Sequence, residues 1–102
     1  KNILDYGKIR IEKGRQLVYR EDEILEMTRR EYELLLYFME HKETVLSRET
    51  ILNAVWDYDY AGDVRTVDTL VKQIRKKLGD DCNYIHTVYG MGYLFEDKAD
   101  ER

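Results

Sequence analysis

Proline is missing altogether from the 102-residue sequence, so no helix or strand in it is obliged to kink or break for want of a backbone N–H. Cysteine occurs once, as Cys82. An internal disulfide is thereby excluded and a reducing compartment fits the chain best; Cys82 itself reads as a small, inert side chain. Long apolar runs are missing too. None approaches the roughly 18 residues of a membrane-spanning helix, and the N-terminus lacks the zones of a signal peptide. A cytoplasmic protein with no membrane partner is the expectation. Histidine is scarce, with only His41 and His86, far apart in the chain. No C-x-x-C, H-E-x-x-H, G-x-S-x-G or phosphate loop occurs, and Gly90-Met91-Gly92 lacks the third glycine and following helix of a dinucleotide site. The sequence therefore nominates no catalytic residue, no metal ligand and no cofactor, and an enzyme is the weakest reading.

What is present is charge, and its distribution matters more than its sum. Seventeen basic against 21 acidic side chains leave a formal −4, which by itself argues against a nucleic-acid partner. From Val64 to Leu78, however, five basic residues (Arg65, Lys72, Arg75, Lys76 and Lys77) face the single acid Asp68. That segment carries +4 and the remainder −8, the pattern of one cationic face on an acidic body. The length suits one domain, 1–102, with a single core. Because the first residue is Lys1, a domain belonging to something longer is expected.

The first 27 residues read as short strands in a meander. Ile9 and Ile11 alternate with Lys8, Arg10 and Glu12, and Lys13-Gly14-Arg15 forms the turn. Leu17 and Tyr19 alternate next, Glu23 to Met27 makes another strand, and Ile3, Leu4 and Tyr6 add a first one. Such two-residue periodicity implies a sheet with one buried face. At Thr28 the period changes. Thr28-Arg29-Arg30-Glu31 is a capping box flanked by Met27 and Tyr32 at staple positions, and Tyr32, Leu35, Leu36 and Met39 form the stripe of a helix to about His41. Ser47 caps a second helix, with Leu46 and Ile51 as its staple and Ile51, Leu52 and Val55 facing inward up to Trp56. Asp57 to Asp63 is a polar loop, and Asp63 is a candidate cap for a third helix ending at Leu78, where Gly79 takes the left-handed position. Tyr84 to Val88 and Tyr93 to Glu96 then form a hairpin around Tyr89-Gly90-Met91-Gly92; the tail from Asp97 is expected to fray. Strands, three helices and a terminal hairpin make an α+β domain.

The third helix is the informative element. At about 100° per residue, Val67, Val71, Ile74 and Leu78 fall within about 60° of one another, whereas Arg65, Thr69, Lys72 and Lys76 gather on nearly the opposite side beside Gln73. One face anchors to a core; the other can neutralise phosphates while a few tips reach base edges. A solvated surface helix has the same pattern, and the Gly-rich hairpin that follows is what favours recognition helix plus wing.

At this point the residues resemble a known family. Arg65-Thr66-Val67-Asp68, then Ile74-Arg75-Lys76-Lys77-Leu78, then Thr87-Val88, Gly90, Gly92-Tyr93 and Phe95 look like the recognition helix and wing of OmpR/PhoB-type response regulators. Met27 to Leu35 is similar to the family's first-helix opening, and Ser47-Arg48-Glu49 with Ala54-Val55-Trp56 to its second helix. The resemblance implies a winged helix-turn-helix with a four-stranded N-terminal antiparallel sheet, a three-helix core and a C-terminal hairpin, 84–96, as wing. It implies sequence-specific binding of double-stranded DNA, on tandem half-sites, by the helix 65–78. It also implies DNA contacts from Arg65, Thr66, Thr69, Lys72, Arg75, Lys76 and Lys77, from Trp56 and Tyr93 near the helix ends, from Gln73 as a base reader, and from Thr87 and Tyr89 on the wing. Trp56 and Tyr93 read equally as packed core side chains, and Asp68 as the partner of Arg65 or of a neighbouring helix. The loop containing Asp57, Tyr58, Asp59, Tyr60 and Asp63 matches a segment through which some members touch RNA polymerase; a solvated connector is the alternative. Dimerisation through the full-length protein, and a histidine kinase acting on a receiver domain absent from these residues, are implied by the family alone.

Three positions depart from the family's pattern. Leu70 stands where many members have a histidine, which removes a phosphate donor and widens the apolar stripe. Gln73 stands where a long basic side chain occurs, and glutamine pairs best with adenine. Tyr89 replaces the arginine usual at the wing tip, and a tyrosine cannot exploit the negative potential of a narrow minor groove. The runner-up reading is therefore a winged-helix module that binds protein, favoured by the net charge of −4 and by that missing arginine.

Overall fold

The computed structural model describes residues 2–56 and 62–98. Four antiparallel strands open the chain in a meander: β1 (Ile3–Tyr6), β2 (Ile9–Glu12), β3 (Leu17–Arg20) and β4 (Glu23–Leu25), paired in sequence order. Cross-strand partners share a face of the sheet, and one row runs Leu4, Ile11, Val18, Leu25 through consecutive pairings. That row is the inner one, with Ile11 and Val18 fully buried and Ile9 beside them. The phase of β3 thus differs from the expectation. Val18, as the partner of Ile11, faces the core, so Leu17 and Tyr19 belong to the outer rows. Two apolar residues on either side of a third do not reveal which parity is buried until the neighbouring strand fixes it. The fourth strand also stops at Leu25, short of Met27.

Helix α1 (Arg29–Glu40) begins at the Thr28 capping box: Thr28 Oγ1 accepts from the Glu31 amide at 3.2 Å, and Glu31 Oε1 accepts from the Thr28 amide at 2.9 Å. Its buried arc comprises Glu31, Tyr32, Leu34, Leu35, Phe38 and Met39. Leu36 is only half-buried, so the stripe lies about one position back from the expected one; Leu34 and Phe38, with no exposed surface, form its centre. Two residues then make a strand that no periodicity announced, β5 (Val45–Leu46). Ser47 caps α2 (Arg48–Val55), its Oγ accepting from the Thr50 amide at 3.0 Å. After α3 (Arg65–Leu78) the chain forms the hairpin β6 (Ile85–Val88) and β7 (Gly92–Phe95).

The hairpin is part of a three-stranded sheet ordered β5-β7-β6. Gly92 permits this: its φ is +146°, and a Cβ there would strike the Leu46 carbonyl oxygen. A glycine lets β5 close against the root of the hairpin where any side chain would hold it off. The helices and both sheets contribute to one core. Phe38 of α1, Val67, Val71 and Ile74 of α3, Ile9 and Ile11 of β2 and Phe95 of β7 all have almost no exposed surface. Of the tail expected to fray, Asp97 is held, its amide donating to the Tyr6 hydroxyl at 2.8 Å, and residues 99–102 lie outside the described residues.

Candidate nucleic-acid interface

The expected division of α3 into faces is observed. Val67, Leu70, Val71, Ile74 and Leu78 are buried, while Arg65, Thr69, Lys72, Gln73 and Lys76 are exposed together on the other side. Lys72, Gln73 and Lys76 have no hydrogen-bond or ion-pair partner among the described residues, so their polar ends are free to meet a ligand. Burying five apolar side chains fixes the helix firmly; each fully buried residue of this size contributes about 1.5–3 kcal/mol relative to exposure.

Both ends of α3 differ in detail from the expectation. Asp63 does cap, but from one residue outside the N-cap position, which Val64 occupies with helical dihedrals. The Asp63 Oδ1 accepts from the Arg65 amide at 2.8 Å, and its Oδ2 accepts from Arg65 Nη2 at 2.9 Å and Nε at 3.2 Å. These bonds hold the Asp63 carboxyl below its usual range and raise the Arg65 guanidinium above its own. At the other end Gly79 has φ +91° and ψ 169°. This is not the left-handed helical cap but a more extended region that only glycine enters freely.

Two other cations of the helix point back into the protein. On the helical wheel Arg75 and Lys77 lie about 80° to either side of the apolar arc, where a long side chain can reach the body. Arg75 donates to the Ile85 carbonyl from Nη2 at 2.8 Å and Nε at 3.1 Å, and to Thr87 Oγ1 at 3.0 Å. Its guanidinium sits 5.7 Å from the centre of the Tyr93 ring. Lys77 donates to Glu31 Oε1 at 2.6 Å and to the Glu26 carbonyl at 2.8 Å. Arg75 thus joins α3 to β6, and Lys77 joins it to the start of α1.

Asp68 pairs with a neighbouring helix rather than with Arg65. Its Oδ2 accepts from Arg48 Nη1 of α2 at 2.6 Å, and its Oδ1 from the Tyr93 hydroxyl of β7 at 2.5 Å. Tyr93 is buried, 7% exposed. Burial, reinforced by the Asp68 carboxylate, pushes its hydroxyl up to about 12. Three elements meet at this one carboxylate, and sequence reasoning had no local signal for it because Arg48 and Tyr93 are each remote in the chain.

Thr66 is half-exposed at the start of the helix and Thr87 is exposed on β6. Tyr89, at the tip of the hairpin, is 97% exposed, with Met91 beside it at 62%. The Met91 amide donates to the Val88 carbonyl at 2.9 Å, closing a turn whose third residue, Gly90, has φ +75°. That φ is the one a type II turn requires. Trp56 is half-buried beneath the Arg30 guanidinium, 5.3 Å from its ring centre, and lines the groove between α1 and α2. Asp57, Tyr58, Asp59 and Tyr60 lie outside the described residues. No group of three or more metal-ligating side chains occurs among the described residues, and no described helix is long and apolar enough to cross a membrane.

Comparison with known proteins places this architecture. The family model described as transcriptional regulatory protein, C terminal, matches residues 21–95. The transcriptional regulatory protein YkoG of Bacillus subtilis (strain 168) is 44% identical over 98 residues, which is 92% of this chain and 42% of that protein. Among solved structures, the response regulator DrrB, a Thermotoga maritima OmpR/PhoB homolog, superposes with a TM-score of 0.85 at 33% identity over 95% of this chain and 45% of its own. The Klebsiella pneumoniae RstA DNA-binding domain, in complex with its RstA box, superposes with a TM-score of 0.84 at 25% identity, over 94% of this chain and 98% of that one. The chain spans less than half the length of the curated relatives it matches.

Proposed function

The chain belongs to the family of C-terminal domains of transcriptional regulatory proteins, of OmpR/PhoB type, and from that membership we propose that it binds double-stranded DNA sequence-specifically as the output domain of a two-component response regulator. The observation that carries the reading is the outer face of α3. Lys72, Gln73 and Lys76 stand exposed and unengaged on a helix whose opposite face is locked into the core, the disposition of a helix laid in a major groove. Lys72 and Lys76, with Thr66 and Thr69, contact phosphates, while the Arg65 guanidinium at the start of the helix is held by Asp63; Gln73 reads a base, adenine by its pairing geometry. Thr87 and Tyr89 bring the hairpin to the adjacent minor groove as a wing, and Trp56 adds a backbone contact. Arg75, Lys77 and Tyr93 serve the same surface from inside, by fixing α3 against β6, α1 and β7. DNA complexes of like-folded domains such as that of RstA support the assignment.

The reading extends to the longer protein implied by the relatives. There the domain, residues 1–102, acts in the cytoplasm without a cofactor or enzymatic activity of its own and dimerises on tandem half-sites. It answers a histidine kinase through a receiver domain, and touches RNA polymerase through the 57–63 loop.

The exposed Tyr89 and Met91 favour one other reading, a module that docks protein through an apolar wing tip. A titration against duplex DNA at several salt concentrations separates the two. Binding through phosphates falls steeply, with log K changing by about −0.9 per contacted phosphate against log salt; an apolar protein interface is almost indifferent to salt. Absence of any salt-dependent duplex binding refutes the DNA reading.

A further inference from the structure

Of the cations expected on the outer face of α3, Arg65 is the only one that arrives already paired. Lys72 and Lys76 have no carboxylate partner among the described residues. Arg65 is held from both its amide and its guanidinium by the one carboxylate of Asp63, although its side chain is 84% exposed and that of Asp63 59%. We propose that Asp63 is an affinity-setting residue, an internal substitute for a DNA phosphate that neutralises Arg65 at the start of the recognition helix and keeps it from contributing a full cation to DNA binding. The inference rests on the reading of α3 as the DNA-contacting helix.

The physical argument has three parts. The Nε and Nη2 groups of Arg65 both donate to Oδ2 of Asp63, and an anionic phosphate oxygen accepts from the same donors, so the two are alternatives for one guanidinium. An exposed ion pair is weak enough for a phosphate to displace. Displacement does not remove the acid, however. The Arg65 amide still anchors Asp63 just ahead of the helix, so an arriving phosphate meets the repulsion of a carboxylate at short range. While Arg65 stays committed to Asp63 it neutralises no phosphate, and the salt slope counts the phosphates neutralised.

The prediction is non-additive, which distinguishes it from a general gain on deleting any nearby acid. Asp63→Asn keeps an oxygen to accept from the Arg65 amide, so thermal stability is expected to stay close to wild type; Asp63→Ser, a second uncharged cap, guards against a local fault peculiar to asparagine. Either variant should bind duplex DNA several-fold more tightly near 0.1 M salt, with a salt slope steeper by about 0.9. The gain should be the same on a preferred site and on a random duplex, because phosphate contacts carry no sequence information. Arg65→Ala should leave the wild-type slope nearly unchanged, yet remove the entire gain in the Asp63→Asn background. Titration of the four proteins (wild type, each single variant and the double) at several salt concentrations reads this coupling. Additive effects, with Arg65→Ala costing as much in wild type as in Asp63→Asn, overturn the inference while leaving DNA binding in place. A wild-type chain that binds no duplex overturns both.

Discussion

Tyr93 illustrates how a polar tip can be drawn into the protein at a position where the family resemblance suggested a DNA contact. Its ring packs within the core and under Arg75, while its hydroxyl donates to Asp68. Ionisation of that phenol is opposed by burial first and by the Asp68 carboxylate second, which raises it from 10.0 to about 12. For an acid raised on folding, the neutral form is the one the fold favours. The contribution is whole below pH 10 and is lost as pH climbs from 10 towards 12. Tyr93→Phe keeps the ring and deletes the bond, so it should cost about 1–2 kcal/mol at pH 7. The difference between the two proteins should shrink above pH 10. Urea unfolding at pH 7 and pH 11 checks both statements, and an unchanging difference would show that the hydroxyl is not held as described.

At the scale of the element, α3 carries two kinds of polar residue that substitution should separate. Lys72 and Lys76 act through charge, so replacing either by Ala should weaken binding to every duplex alike and flatten the salt slope by about 1. Gln73 sits between them on the same exposed face and acts through hydrogen-bond pattern. Gln73→Ala should cost about 1–3 kcal/mol on the preferred site and relax one position of the selected consensus, with the salt slope unchanged. Selection of bound sequences by wild type and by the Gln73 variant decides the matter; an identical consensus removes Gln73 from base reading. Arg75 is excluded from this comparison because its fork is committed to Ile85 and Thr87, and its loss would move the hairpin as well as the charge.

Across the whole molecule, Glu31 is the point where local and long-range order meet. It is the only buried charged residue among the described ones. It completes the cap of α1 and receives Lys77 from the last turn of α3, and Lys77 also donates to Glu26 just beyond β4. Burial alone would raise the Glu31 carboxyl; the Lys77 ammonium and the Thr28 amide outweigh it and hold the group below the usual carboxylate range. A depressed carboxylate stabilises the fold above its ordinary pKa and loses that contribution as pH falls through the folded value. Glu31→Gln should therefore cost about 2 kcal/mol at pH 7. It should cost progressively less in acid, where wild type protonates the same group. Denaturant midpoints measured from pH 7 down to pH 3 test this, and a variant whose deficit is constant across that range contradicts it.

The sequence by itself determined the order of elements, because those signals are local: the capping box at Thr28, the Ser47 cap, the 3.6-residue stripe of Val67, Val71, Ile74 and Leu78, and the glycine-flanked hairpin. It determined the exposed face of α3 for the same reason, since a helix wheel needs no knowledge of the partner surface. The parity of β3 was settled only by its pairing with β2, as Val18 lies opposite Ile11. The two residues of β5 have no periodicity to read and became a strand only because Gly92 lets β7 approach them. The fate of the cations followed the same division. Those near the middle of the outer face stayed free, whereas Arg75 and Lys77, at the borders of the apolar arc, were claimed by carbonyl and carboxylate oxygens from distant parts of the chain. A residue's angle on its helix is written in the sequence, but a partner 46 positions away, as Glu31 is from Lys77, exists only once the elements have packed.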